Sequence, residues 1–312
     1  MNDVIVIENL SKSYSGFKAL DKLNLRIEKN TCVGYLGPNG SGKSTTIKIL
    51  TGLLRPTQGT AYLSGFDITK DTRKALQNVG AVVETPEFYP YLTPKEILTY
   101  FGKLRGMPKN EINSRINQVL ELVRLDEWRQ KKIGKFSKGM KQRLAIASAL
   151  LHEPSIIIVD ELTSGLDPRG MIEVREILKS LKKSDKTIFM SSHLLGEIQE
   201  ICDKVALIDK GKLLRYEDVK NISNLSKSSR IQIELIELPT KSQLSTISEL
   251  AGVTEVKHEL SLSLIITFKG GLDARADLLE KLQEMGLRIV TFKQLDSELE
   301  LLYLDLISQS VG

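Results

Sequence analysis

Gly37-Pro38-Asn39-Gly40-Ser41-Gly42-Lys43-Ser44-Thr45 is the stretch of this sequence whose residue types and spacing most directly imply chemistry. It reads as glycine, four free positions, then Gly-Lys-Ser, between an apolar run at residues 31–36 and a helical-looking run at 45–50. Backbone N–H groups can close around phosphate oxygens only where glycine permits it, and a helix N-terminus after the loop favours an anion through its dipole. In such a loop Lys43 reaches the β- and γ-phosphates and the Ser44 hydroxyl binds Mg²⁺. Nucleotide binding is therefore the starting point.

Ser155-Ile156-Ile157-Ile158-Val159-Asp160-Glu161 is a continuous apolar run ending in two acids. A buried parallel strand delivers its carboxyl end to a ligand in this way. Asp160 is placed to hold Mg²⁺ and Glu161 to orient an attacking water. Residues 187–190 form another strand that ends at Ser191-Ser192-His193, and of the three histidines only His193 falls at such a strand end. Ser137, in Phe136-Ser137-Lys138-Gly139-Met140, is a good N-cap for the helix that follows. It makes either a plain capped helix or a second phosphate-facing helix N-terminus. Tyr14 either covers a sheet edge or stacks on a base.

These groups need elements to position them. Residues 4–10 and 23–27 read as strands, the second with strict alternation at Leu23, Leu25 and Ile27, and Tyr14 lies between them. Residues 52–59 read as a turn, and 60–64 and 79–83 as strands, the last running into Glu84-Thr85-Pro86. From 93 to 151 the character becomes helical. Thr93-Pro94-Lys95-Glu96 is a capping box with proline at the first helical position, and Gly106 supplies a stop. Ile112, Ile116, Val119, Leu120 and Val123 then share one helical face. Asp167 and Pro168 open a further helix.

Beyond residue 220 a Ser/Lys/Asn-rich linker at 221–229 precedes strand 230–238, helix 241–251, strands 253–259 and 262–268, helix 274–285 and strand 287–294. That order is the split βαβ pattern of a small α+β ferredoxin-like sandwich. The expected domains are thus 1–219 and 220–312. His258 has no cysteine or second histidine near it in sequence, so no catalytic set is expected in the second domain.

The chain has 312 residues, 41% hydrophobic and 27% charged, enough to bury a core in more than one domain. A net charge of +5 without a basic run decides nothing about nucleic acid. Cys32 and Cys202, the two cysteines, are too few for a disulfide framework and read as buried thiols in a reducing compartment. No run approaches the ~18 apolar residues of a membrane span, so a membrane role needs a partner.

The phosphate loop, Glu84, Ser137-Lys138-Gly139-Met140, the Asp160-Glu161 strand, Ser164-Gly165-Leu166-Asp167 and His193 follow one another in an order that resembles the ATP-binding subunits of ABC transporters. The resemblance covers roughly residues 1–218. It implies an α/β P-loop NTPase domain with a mixed sheet and an inserted helical subdomain at about 93–151. It implies ATP and Mg²⁺ as cofactors. Gly37, Pro38, Asn39, Gly40, Ser41, Gly42, Lys43, Ser44 and Thr45 would hold the nucleotide, with Tyr14 on the adenine. Lys43, Glu161 and His193 would be catalytic, His193 sensing the γ-phosphate, and Ser44, Asp160 and Glu84 would lie on the metal. A head-to-tail homodimer would place Ser137 and Gly139 on the ATP of the opposite subunit.

The signature motif of the family reads Leu-Ser-Gly-Gly-Gln, whereas this chain has Phe136-Ser137-Lys138-Gly139-Met140. Glu84 stands where the family has glutamine, which resembles the subgroup that exports bacitracin-type and lantibiotic peptides for self-protection. The implied partner is a separately encoded membrane permease, with the chain at the cytoplasmic face of the membrane and reaching it only through that permease. The rival reading is a soluble ATPase of the same family acting on ribosomes or DNA. Those carry paired cassettes or a long coiled-coil insertion, and with one cassette and no sustained heptad run here, no nucleic-acid partner is expected.

Overall fold

The computed structural model describes residues 3–224, 229–258 and 262–295. Two compact units divide the chain, Met1–Glu217 and Asp218–Gly312. The first begins with a hairpin of β1 (Asp3–Tyr14) and β2 (Phe17–Glu28), turned through Ser15 and Gly16 at φ 41° and 91°. Two successive positive φ values give the turn whose twist matches that of paired strands. Both strands run further than the alternation predicts, so Tyr14 is not in a connection but ends β1, opposite Phe17. With β4 (Gln58–Leu63) and β5 (Phe66–Asp67) they form an antiparallel sheet in the order β2-β1-β4-β5.

The second sheet carries the chemistry. It comprises β3 (Cys32–Leu36), β6 (Val79–Val82), β7 (Ile156–Asp160), β8 (Thr187–Ser192), β9 (Lys204–Asp209) and β10 (Lys212–Asp218), in the order β10-β9-β3-β8-β7-β6. From β9 to β6 all neighbours are parallel. Every residue of β3, β7 and β8 is buried, as it must be in a parallel sheet covered on both faces. Tyr35 of β3 and Phe189 of β8, both fully buried, pack with ring centroids 5.0 Å apart. Ile5, Leu23 and Ile27 of the antiparallel sheet join them in one core with Ile47 of α1 (Lys43–Leu50). Each such side chain contributes about 1.5–3 kcal/mol by burial.

After α2 (Thr72–Ala75), the helical portion lies between β6 and β7: α3 (Pro94–Leu104), α4 (Lys109–Leu122) and α5 (Lys138–Leu150). The expected capping box is formed, Glu96 N donating to Thr93 Oγ1 and Thr93 N to Glu96 Oε2. Gly106 sits at φ 72°, past the end of α3. The predicted face of α4 is buried throughout. The helices α6 (Pro168–Lys182) and α7 (Leu195–Ile201) complete the unit.

In the second unit β11 (Ser229–Leu235), β12 (Val253–His258), β13 (Ser263–Phe268) and β14 (Ile289–Gln294) form an antiparallel sheet in the order β12-β13-β11-β14. The helices α8 (Lys241–Glu249) and α9 (Leu272–Glu284) supply Ile247, Leu278 and Leu282 to a core with Ile231, Ile233, Leu264 and Ile266. Part of the expected linker is a short 3-10 helix, Val219–Asn224. The terminal segment 296–303, which in sequence resembles the closing segment of exporter ATPases, lies outside the described residues.

Candidate functional site

The loop between β3 and α1 is built around positions where a side chain does not fit. A Cβ on Gly37 would lie 2.4 Å from Ile208 O and 2.4 Å from Ser41 Oγ. Gly42, at φ 109°, could carry one only 2.7 Å from Ala19 O. The loop is braced by a turn that the sequence reading did not single out: Gly211 N donates to Ser41 O at 2.9 Å, and Asp21 N to Gly211 O at 2.9 Å. Ser41 Oγ is buried with no hydrogen-bond partner among the described residues. Lys43 is 5% exposed, and its Nζ donates to Gly37 O at 2.8 Å and Pro38 O at 3.1 Å. Burial lowers its pKa, opposed by the Glu161 and Asp160 carboxylates. An orphaned hydroxyl and a buried cation on a glycine-lined loop are what triphosphate oxygens would satisfy.

The acids come from the carboxyl end of β7, and Ser191 of β8 sets both. Its hydroxyl donates to Asp160 Oδ1 and accepts from Glu161 N at 3.1 Å. Glu161 leaves the strand at φ 43°, in the left-handed region. That bend brings Glu161 Oε1 to 3.8 Å from Lys43 Nζ and Oε2 to 3.5 Å from His193 Nδ1. The loop bearing His193 is fixed by Ser192, whose Oγ donates to Glu197 Oε2 at 2.9 Å and accepts from Leu194 N at 2.9 Å. A cavity of about 240 Å³ lies beside this cluster, lined by Tyr14, Phe17, Asn39, Lys43, Ser44 and Glu161 among others. A larger cavity of about 640 Å³ along Asn24, Arg26 and Leu213 has no phosphate loop.

The predicted residues divide into three groups. Gly37, Pro38, Asn39, Gly40, Ser41, Gly42, Lys43, Ser44 and Thr45 form one loop and helix start, and Lys43, Glu161 and His193 converge. Asp160 is held beside them by Ser191, and Ser44 and Asp160 are the oxygen donors that suit Mg²⁺. Among the described residues no three His, Cys, Asp or Glu side chains form a ready-made metal cluster. Ser137 caps α5, its Oγ accepting from Met140 N at 3.2 Å. Neither Ser137 nor Gly139 lines the cavity.

Glu84 pairs with a cation of α1. It follows β6 at φ 64° with an exposed side chain, and Lys48 Nζ of α1 lies 2.5 Å from its Oε1. The hydrogen bond from Lys48 to Glu84 raises the Lys48 pKa. Sequence reading missed this partner because nothing in the spacing of 48 and 84 marks it. Cys32 and Cys202 are buried with Sγ atoms 3.8 Å apart, and burial pushes the Cys202 thiol up, Cys32 adding to the effect.

The family model described as ABC transporter matches residues 20–164, which include the loop and both acids. A model described as AAA domain, putative AbiEii toxin, Type IV TA system, matches residues 132–198. The bacitracin transport ATP-binding protein BcrA of Bacillus licheniformis is 43% identical over 235 residues, 75% of this chain and 75% of its own. The linearmycin resistance ATP-binding protein LnrL of Bacillus subtilis (strain 168) is 33% identical over 306 residues, 97% of this chain and 98% of its own. The chain belongs to the ABC transporter family of ATP-binding proteins. A solved ATP-binding subunit of an ABC transporter superposes on this ABC ATPase with a TM-score of 0.64 at 28% identity, covering 71% of this chain and 92% of that one. An ATP-binding cassette in a dimeric post-hydrolysis state with ADP and Pi does so with a TM-score of 0.62 at 27% identity, covering 69% and 98%. ATP hydrolysis is the reaction the site must explain.

Proposed function

We propose that this ATPase powers a separately encoded membrane permease that exports a peptide antibiotic or drug, working as a head-to-tail homodimer at the cytoplasmic face of the membrane. The observation that carries the reading is the 33% identity to a linearmycin resistance ATP-binding protein across 97% of this chain, both units included. The bacitracin transport relative, whose antibiotic is a peptide, supports the peptide part of the reading. No helix among the described residues is long and apolar enough to cross a membrane, and in this reading the pore belongs to the permease.

In this reading Tyr14, 44% exposed at the rim of the cavity, stacks on adenine, while the loop amides and Lys43 hold the phosphates. Lys43 exchanges the Gly37 and Pro38 carbonyls for phosphate oxygens. Ser44 and Asp160 would hold Mg²⁺, which would neutralise phosphate charge. Glu161 accepts a hydrogen bond from the attacking water, and His193 holds the Glu161 carboxylate on one side while facing the γ-phosphate on the other. Ser137 and Gly139, which do not line the cavity of their own chain, complete the site of the second subunit through the α5 N-terminus. Glu84, released from Lys48, reports occupancy to the permease. The domains act as an ATPase unit of residues 1–219 and an accessory unit of residues 220–312.

The test is to purify the tagged chain from membranes and to delete it in cells. The reading predicts recovery with a polytopic membrane protein, and loss of peptide-antibiotic resistance restored only by the wild-type chain. Recovery with ribosomes or DNA and unchanged resistance would contradict it.

A further inference from the structure

Lys138 is the first residue of α5, a place where the helix dipole disfavours a cation. The residue is exposed, yet its head bends back to the neighbouring loop. Lys138 Nζ donates to Ser164 O at 2.9 Å, and it lies over Gly165, where an added Cβ would come within 2.5 Å of the ammonium. Gly165 is at φ 67°, a left-handed backbone conformation that favours glycine.

The two helix starts are joined at further levels. A Cβ on Gly139 would lie 3.6 Å from the Cα of Gly170, and Asp167 caps α6 by accepting from Gly170 N at 3.3 Å. Arg143 of α5 pairs with Glu173 of α6 at 3.3 Å. The loop between β7 and α6 also reaches back to the catalytic acid, Ser164 N donating to Glu161 O at 3.1 Å. Ser164 is therefore gripped from both sides, its N–H by Glu161 and its carbonyl by Lys138.

We propose that Lys138 is a positioning residue for ATP hydrolysis. By holding Ser164 it fixes the turn that sets Glu161 in its left-handed conformation, and it makes the 164–167 loop and the Ser137 cap a single body. The second half rests on the shared-site dimer proposed above, in which the Ser137 segment faces the opposite nucleotide. A glycine at 138 has no side chain with which to make this tie.

The experiment compares Lys138→Met, which keeps the length of the stem without the donor, with Lys138→Arg, whose guanidinium can still donate to the carbonyl. Three quantities are read on the full chain: steady-state ATP hydrolysis, amide hydrogen exchange over residues 162–167 without nucleotide, and the thermal midpoint. We expect Lys138→Met to lower kcat about tenfold with KM for ATP changed less than about twofold. Exchange over 162–167 should quicken and the midpoint should stay. Lys138→Arg should restore both kcat and protection. Unchanged kcat, unchanged exchange, or a lowered kcat without faster exchange would each overturn the proposal. Sedimentation of Glu161→Gln protein with ATP separates the two ideas: a monomer there sinks the shared-site reading, while the exchange and kcat comparison still decides whether Lys138 sets Glu161 within its own chain.

Discussion

His193 Nδ1 lies 3.5 Å from Glu161 Oε2, while the other oxygen of that carboxylate is 3.8 Å from Lys43 Nζ. Three segments far apart in sequence thus meet on one carboxylate. In the proposed reading the imidazole steadies Glu161 and its second nitrogen faces the γ-phosphate. His193→Ala should lower kcat by about 10²-fold with ATP affinity nearly unchanged, since the group acts on the transition state. Titration with a fluorescent ATP analogue beside a phosphate-release assay checks this. A parallel loss of affinity and rate would make His193 a binding residue instead.

The phosphate loop yields a stability prediction. Of the two atoms that a Gly37→Ala methyl would meet at 2.4 Å, the Ile208 backbone carbonyl oxygen cannot rotate away as Ser41 Oγ can. Overpacking of this kind costs about 1–3 kcal/mol. The midpoint of thermal unfolding should fall, and ATP should no longer raise it. A variant stabilised by ATP as fully as the parent would show that the loop adapts.

The imidazole of His152, 3.1 Å from Val79 O, is held down to a pKa of about 4, first by burial and then by the Arg105 guanidinium. An unfolded histidine titrates near 6.5. Between these values the unfolded chain binds the extra proton, so the stability from this site is complete above about pH 6.5 and is lost as pH falls toward 4. The loss amounts to about 3 kcal/mol at the acid end. Urea midpoints measured across that range should slope less in His152→Gln. Identical slopes in the two proteins would rule out burial of His152 as the cause.

Glu84 and Lys48 give a prediction about coupling. Their pair is largely exposed, so it contributes little to stability, within about 1 kcal/mol. Glu84→Ala should therefore fold normally and bind ATP through Lys43 and the loop amides. With the permease present, transport should fall while ATP hydrolysis continues. A paired measurement of both rates decides it, and unchanged transport would show that the loop after β6 does not couple.

Local chemistry was legible in the sequence and cross-chain geometry was not. Thr93, Ser137 and Asp167 declare themselves because a cap bonds an amide three residues on. Glycine spacing declares the phosphate loop, and four apolar residues before two acids declare β7. The order of the second unit was readable for the same reason, as its strands alternate and its helices repeat. By contrast, Ser191 meets Asp160 through the register of two parallel strands, which no spacing encodes. Lys48 finds Glu84, and Lys138 finds Ser164, only after the sheet has ordered its helices. Tyr14 was misplaced because polar residues at 11–13 and 15 hide the extension of β1 up to its turn.

The centre of the account is that Glu161 orients the water that cleaves ATP. Its most direct measurement is the single-turnover rate of hydrolysis of bound ATP by Glu161→Gln against the parent, with ATP affinity recorded on the same samples. The account predicts a rate lower by about 10²–10⁴-fold and an affinity within about twofold. Hydrolysis at the parent rate with ATP fully bound would contradict it.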